Sequence, residues 1–108
     1  MITIEDIHPG DGHEIKEGDG VTLHYTGTFL DGSKFDSSKD RGNPMDIVVG
    51  VTGLIEGFTL GVIGMREGGH RKITIPYHMA YGEAGRPPVI PAKADLIFEL
   101  EVLFIRPS

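Results

Sequence analysis

Apolar residues recur at every second position in several short runs, and turn residues separate the runs. In Val21-Thr22-Leu23-His24-Tyr25-Thr26, one face carries Val21, Leu23 and Tyr25 and the other is polar, which predicts a half-buried strand with His24 exposed. Leu96, Phe98, Leu100, Val102 and Phe104 alternate with Ile97, Glu99, Glu101 and Leu103, a long strand whose polar middle faces water. Ile73 and Ile75 flank Thr74 in another, and Met45, Ile47 and Val49 share a face in a fourth. Ile2 and Ile4 are in phase but Ile7 is not, so the first strand is expected to carry a bulge or end early. Turn signals punctuate these runs at Pro9-Gly10-Asp11-Gly12, Gly18-Asp19-Gly20, Asp31-Gly32, Gly42-Asn43-Pro44, Gly68-Gly69 and Pro87-Pro88. Asp31-Gly32 fits a tight hairpin, because glycine tolerates positive φ.

The stretch 54–65 breaks the period of two. Ile55, Phe58, Val62 and Met65 fall near one helical face, and Gly57, Gly61 and Gly64 form a second stripe. Each interior glycine costs about 1 kcal/mol against alanine, so this helix needs a sheet to hold it. A strand over the same residues is the alternative; the length of the run favours helix. Gly68-Gly69 is expected to end it. Four or five short antiparallel strands around one short helix make an α+β fold.

With 108 residues the chain fits one domain, 1–108, with a small core. Its 39% hydrophobic and 24% charged residues are those of a folded soluble protein, and its 16 glycines favour a turn-rich sheet. Lys plus Arg number 10 against 16 Asp plus Glu, a net charge of −6, which argues against nucleic acid as partner; Lys39, Arg41 and Arg71-Lys72 are too few to form a basic surface. The chain has no cysteine, so disulfides and thiolate-bound metals are excluded and a cytoplasmic location is expected. The residues from Met1 to Asp6 do not read as a signal peptide, and no run is apolar enough to span a membrane.

Five blocks then stand in order: Val21-Thr22-Leu23-His24-Tyr25-Thr26-Gly27, Asp31-Gly32-Ser33-Lys34-Phe35-Asp36-Ser37-Ser38, Leu54-Ile55-Glu56-Gly57-Phe58, Ala80-Tyr81-Gly82 and Val89-Ile90-Pro91-Ala92. Their order and spacing resemble the FKBP family, the tacrolimus- and rapamycin-binding prolyl isomerases, over nearly the whole chain. The resemblance implies a half-open antiparallel sheet of about five strands wrapped around the helix. It also implies a pocket formed by Tyr25, Phe35, Asp36, Met45, Ile47, Leu54, Ile55, Phe58, Tyr81, Ile90 and Phe98, with Arg41 and Val89 near the rim. Tyr25, Asp36, Phe58, Tyr81 and Phe98 are the expected catalytic members and the rest bind substrate. The family's best-known members carry Trp at the floor and Phe at the side, where this chain has Phe58 and Met45. Phe58 leaves more room and loses the indole N–H, and Met45 is flexible. Macrolide binding is therefore expected to be weaker while isomerase activity is kept. Gly53 stands where a side chain with a carbonyl is common.

The implied chemistry needs no nucleophile, metal or cofactor. Rotation about a peptide C–N bond faces a barrier of ~18–20 kcal/mol because conjugation is lost. A dry aromatic site favours the twisted, less dipolar amide over the planar forms. Phe58 is the expected floor and Tyr25, Phe35 and Phe98 the walls. The Ile55 N–H and the Tyr81 hydroxyl are the expected donors to substrate carbonyls. Asp36 needs a partner to stay charged beside apolar surface, and Tyr25 and Arg41 are the candidates. It either braces the loop 37–44 or aims a dipole at the amide. The expected partners are X-Pro peptides and unfolded chains acting on a monomer. A non-catalytic module that binds prolyl peptides or macrolides is the alternative.

Other constellations carry less. His8, His13, His24, His70 and His78 lack a metal-ligating spacing, and the Gly-Asp-Gly pairs read as turns. Ser37-Ser38 has no nucleophile-elbow context, and Gly82-Glu83-Ala84-Gly85 is too short and acidic for a phosphate loop. The stretch 80–93, stiffened by Pro87, Pro88 and Pro91, is expected to form a restricted loop over the pocket with Arg86 exposed at its tip. Nothing in this short loop corresponds to the extra domain that chaperone-like relatives carry there.

Overall fold

The computed structural model describes residues 1–108. In chain order the elements are β1 (Thr3–His8), β2 (Gly20–Phe29), β3 (Lys34–Ser37), β4 (Met45–Val48), α1 (Glu56–Val62), β5 (His70–Ile75), a 3-10 turn (Tyr77–Met79) and β6 (Leu96–Arg106). All strand pairs are antiparallel, in the order β1-β5-β6-β2-β3, and β4 also pairs with β2. The α+β class, the open antiparallel sheet and the short helix are as expected. The strands number six rather than about five. The addition is β3, and it shares one edge of β2 with β4: β3 pairs with residues from Thr26 to Thr28, β4 with residues from Gly20 to Leu23. The loop between them leaves that edge near Tyr25.

The alternation on β2 and β5 is realised, with Val21, Leu23, Tyr25, Ile73 and Ile75 all buried. On β6 it holds from Leu96 to Val102 and then fails. Phe104 is 62% exposed, and Ile105 takes the inward place. Thr22 lies opposite Phe104 but Leu23 lies opposite Val102, so Leu103 is an extra residue that flips everything after it to the other face. The bulge predicted near Ile7 is present: the β1–β5 register shifts between Asp6 and His8.

Helix α1 lies flat on β5 because its sheet-facing side has no side chains. A Cβ on Gly57 would sit 2.3 Å from Ile75 Cγ2, and one on Gly61 would sit 2.4 Å from Ile73 Cδ1. The helix ends earlier than the expected Gly68-Gly69 stop. Ile63 is extended, Gly64 has φ of +92°, and Arg71 donates to the carbonyls of Gly61 and Ile63, both at 2.9 Å. Arg71 Nε also pairs with Asp6 Oδ1 at 2.6 Å. One buried guanidinium thus ties the helix end, β5 and β1 together.

Candidate functional site

Four elements bring one aromatic ring each to the open side of the sheet. Tyr25 comes from β2, Phe35 from β3, Phe58 from α1 and Phe98 from β6. Phe58 lies edge-on to Phe98 at 5.3 Å between centroids and edge-on to Tyr25 at 6.0 Å. Phe35 meets Phe98 at 5.7 Å, also edge-on. These are favoured aromatic geometries. They border a cavity of about 310 Å³, in which eight of eleven lining residues are apolar. Met45, Leu54, Ile55 and Tyr81 complete its apolar wall.

Gly27 makes this convergence possible. It pairs across the ladder with both Phe98 and Asp36. A Cβ there would lie 2.6 Å from Phe35 Cζ and 3.0 Å from Phe98 Cε1. The two rings close over the bare backbone of β2, the use of glycine inside a strand that a close approach demands.

Three side chains form a linked polar rim. The Tyr25 hydroxyl donates to Asp36 Oδ2 at 2.8 Å, and Arg41 donates to that hydroxyl at 2.6 Å and to Asp36 Oδ1. The Arg41 guanidinium carbon is also 5.5 Å from the Tyr25 ring centroid. Both predicted partners of Asp36 are therefore in place, and both of its oxygens are engaged. Ser38, fully buried, anchors the start of the loop: its Oγ accepts the Tyr25 N–H at 2.8 Å. His24 is half-buried rather than exposed, because its Nδ1 reaches the same Ser38 oxygen at 2.8 Å.

Burial raises the Tyr25 hydroxyl above the ordinary tyrosine value of 10.0; the Arg41 hydrogen bond opposes this and the Asp36 hydrogen bond adds to it. The bond to Tyr25, then that to Asp36, strengthens Arg41's hold on its proton. A tyrosine whose folded pKa is raised stabilises the fold in its neutral form. That contribution is complete below pH 10 and lost as pH rises through the folded value. Alkaline titration followed by tyrosinate absorbance should show a component above 10, and Tyr25→Phe should remove it.

Two hydrogen-bonding groups stand free at the cavity. The Ile55 N–H, just before α1, has no acceptor within the chain, and neither does the half-buried Tyr81 hydroxyl have a partner. Of the expected site residues, Tyr25, Phe35, Asp36, Met45, Leu54, Ile55, Phe58, Tyr81 and Phe98 all line the cavity. Ile47 does not: it is 3% exposed and packed in the core, since β4 carries its inward face from the cavity edge at Met45 into the interior. Arg41 lies in a shallow recess beside the rim, and Val89 and Ile90 line an adjoining groove. His78 is exposed and lines neither. Gly53 and Arg86 line the cavity although neither was among the expected pocket residues.

The comparisons with known proteins agree with this arrangement. The family described as FKBP-type peptidyl-prolyl cis-trans isomerase matches residues 12–103. The chain is 50% identical over 102 residues to FK506-binding protein of Neisseria meningitidis serogroup A, covering 94% of each chain. It is 45% identical over 103 residues to FK506-binding protein 1 of Saccharomyces cerevisiae, covering 94% of this chain and 90% of the other. The crystal structure of FkpA from Escherichia coli superposes with a TM-score of 0.89 at 37% identity, covering 98% of this chain; this chain spans about half of FkpA, 48%. Fold, aromatic cavity and sequence likeness extend over the same residues, and the chain belongs to the FKBP-type peptidyl-prolyl cis-trans isomerase family.

Proposed function

We propose that this chain accelerates cis–trans rotation of X-Pro bonds in peptides and unfolded proteins by binding the twisted amide. The observation that carries the reading is the meeting of the four rings over one apolar cavity with an unclaimed N–H, that of Ile55, at its edge. The proline ring rests on Phe58, between Tyr25, Phe35 and Phe98. A substrate carbonyl takes the Ile55 N–H and another takes the Tyr81 hydroxyl, which fixes the peptide before rotation starts. The apolar walls then favour the amide at mid-rotation, when its carbonyl is least polar. Asp36 acts through Tyr25 and Arg41: with both oxygens occupied it braces the loop 37–44 and holds the Tyr25 ring as a wall.

The test is exchange of Ala-Leu-Pro-Phe, followed by NMR line broadening or a coupled protease. Catalytic amounts should speed exchange well beyond the uncatalysed time of tens to hundreds of seconds. Binding of a prolyl peptide or macrolide without any rate increase would overturn this reading and leave a recognition module. Relatives are named for FK506 binding. For this chain we infer weaker macrolide binding, because a phenylalanine floor and Met45 fit a large rigid ligand less closely than a proline ring. A cytoplasmic monomer belongs to the same reading. No helix is long and apolar enough to cross a membrane.

A further inference from the structure

Arg86 is the cation lining the cavity that has no anionic partner. Arg41 beside it is taken up by Asp36, Lys34 pairs with Asp40 at 2.6 Å, and Lys39 pairs with Glu101. Arg86 forms no ion pair, not even with Glu83 three residues before it in the same loop. Its guanidinium carbon lies 5.8 Å from the Tyr81 ring centroid. Its backbone is held by reciprocal hydrogen bonds with Ile90, at 2.8 and 2.9 Å, and Ile90 is itself 3% exposed. The residue borders both the aromatic cavity and the groove of about 500 Å³ that continues from it past Pro87 and Val89. A guanidinium in cation–π range of a ring still has N–H groups to offer, and those groups match a carboxylate through two parallel hydrogen bonds.

We propose that Arg86 makes this site select X-Pro segments with an acidic residue next to the proline. The inference rests on the isomerase reading above. The net charge of −6 opposes an acidic peptide at long range. That repulsion is screened beyond about 10 Å at ordinary salt, whereas a contact pair at an apolar rim is screened less. An exposed pair of this kind is worth a preference of about two- to fivefold.

The experiment measures kcat/KM by NMR exchange on Ala-Xaa-Pro-Phe and Ala-Leu-Pro-Xaa, with Xaa as Glu, Gln or Lys, against Ala-Leu-Pro-Phe. At one of the two positions Glu should exceed Gln by about two- to fivefold, and Lys should fall below Gln. Arg86→Ala should bring the three together, and Arg86→Glu should reverse their order. Salt near 1 M, where the screening length is about 3 Å, should weaken the preference without abolishing it. Lys16→Ala removes the same charge outside the cavity and groove and should leave the preference intact. A Glu preference that is absent at both positions, or that survives in Arg86→Ala, overturns the proposal while Ala-Leu-Pro-Phe is still turned over. If that neutral peptide is not turned over at all, the isomerase reading falls first and this inference falls with it.

Discussion

Phe58→Ala is expected to lower kcat/KM on Ala-Leu-Pro-Phe by about ten- to a hundredfold, a loss of about 1.4–2.7 kcal/mol of transition-state stabilisation. Phe58 is the ring that the helix brings to the cavity, edge-on to Phe98 at 5.3 Å and to Tyr25 at 6.0 Å, and it is only 3% exposed. Removing it opens the cavity floor to water. Water solvates the planar, more dipolar amide best, so the preference for the twisted form is lost. The same change costs about 3–5 kcal/mol of stability, out of a typical total of about 5–15 kcal/mol. The assay therefore has to run well below the variant's melting temperature. Phe58→Leu, which keeps most of the volume, separates the two effects: it should stay folded and still lose activity. Phe58→Trp should keep kcat/KM in the wild-type range and bind a macrolide more tightly, since the indole fills the floor and restores an N–H. A folded Phe58→Ala protein with unchanged kcat/KM would remove the aromatic floor from the mechanism.

The contrast between Phe58 and its neighbours shows which features were legible along the chain. Strands β2, β5 and β6 were readable because each buries one face, and a single slipped residue would expose the whole set. The bulge at Leu103 was not readable. Phe104 and Ile105 are both apolar, so the pattern fits either register, and pairing with β2 decides between them. Strand β3 has one large apolar residue, Phe35, and exists because a hairpin lays it on β2. The helix end was misplaced for a similar reason. Ile63 and Met65 continue an apolar helical pattern, while the stop comes from the backbone at Gly64 and from Arg71 on the following strand.

At the site, the rings were reached through the family resemblance and their meeting through the fold. The Tyr25–Asp36–Arg41 link was anticipated because a carboxylate beside apolar surface needs a partner. Ile47 was misassigned because sharing a strand face with Met45 says nothing about where the cavity ends and the core begins. His24 was misread because alternation reports direction and not depth: the Ser38 oxygen it bonds is buried under the neighbouring loop. Arg86 could be placed at the loop tip from its prolines, but its hold on the cavity depends on the hydrogen bonds to Ile90. Gly27 carried a usable signal, a glycine within an alternating strand.

Gly57→Ala sets two rules against each other, and the geometry decides. Helix propensity alone predicts stabilisation by about 1 kcal/mol. Packing predicts the reverse, because the new methyl would lie 2.3 Å from Ile75 Cγ2 and 2.9 Å from its Cγ1. Both atoms branch from the Ile75 Cβ, so no turn about the terminal bond clears them, and Ile75 is fully buried with no room to retreat. Overpacking of this kind costs about 1–3 kcal/mol, and each kcal/mol lowers the melting temperature of a domain this size by about 4–8 °C. The variant should therefore melt lower than the wild type. Gly53→Ala, where a Cβ meets nothing within 4 Å, should not. Relief by lifting α1 off β5 would carry Phe58 and the Ile55 N–H away from the rings of Tyr25 and Phe98, so kcat/KM should fall along with stability. Ile75→Ala, which by itself leaves a void, removes the clash. The double variant should then lose less than the sum of the two single changes by about 0.5–3 kcal/mol. Strict additivity in denaturant melts would mean that the helix does not rest on Ile75, and that its glycine face serves some purpose other than close approach to the sheet.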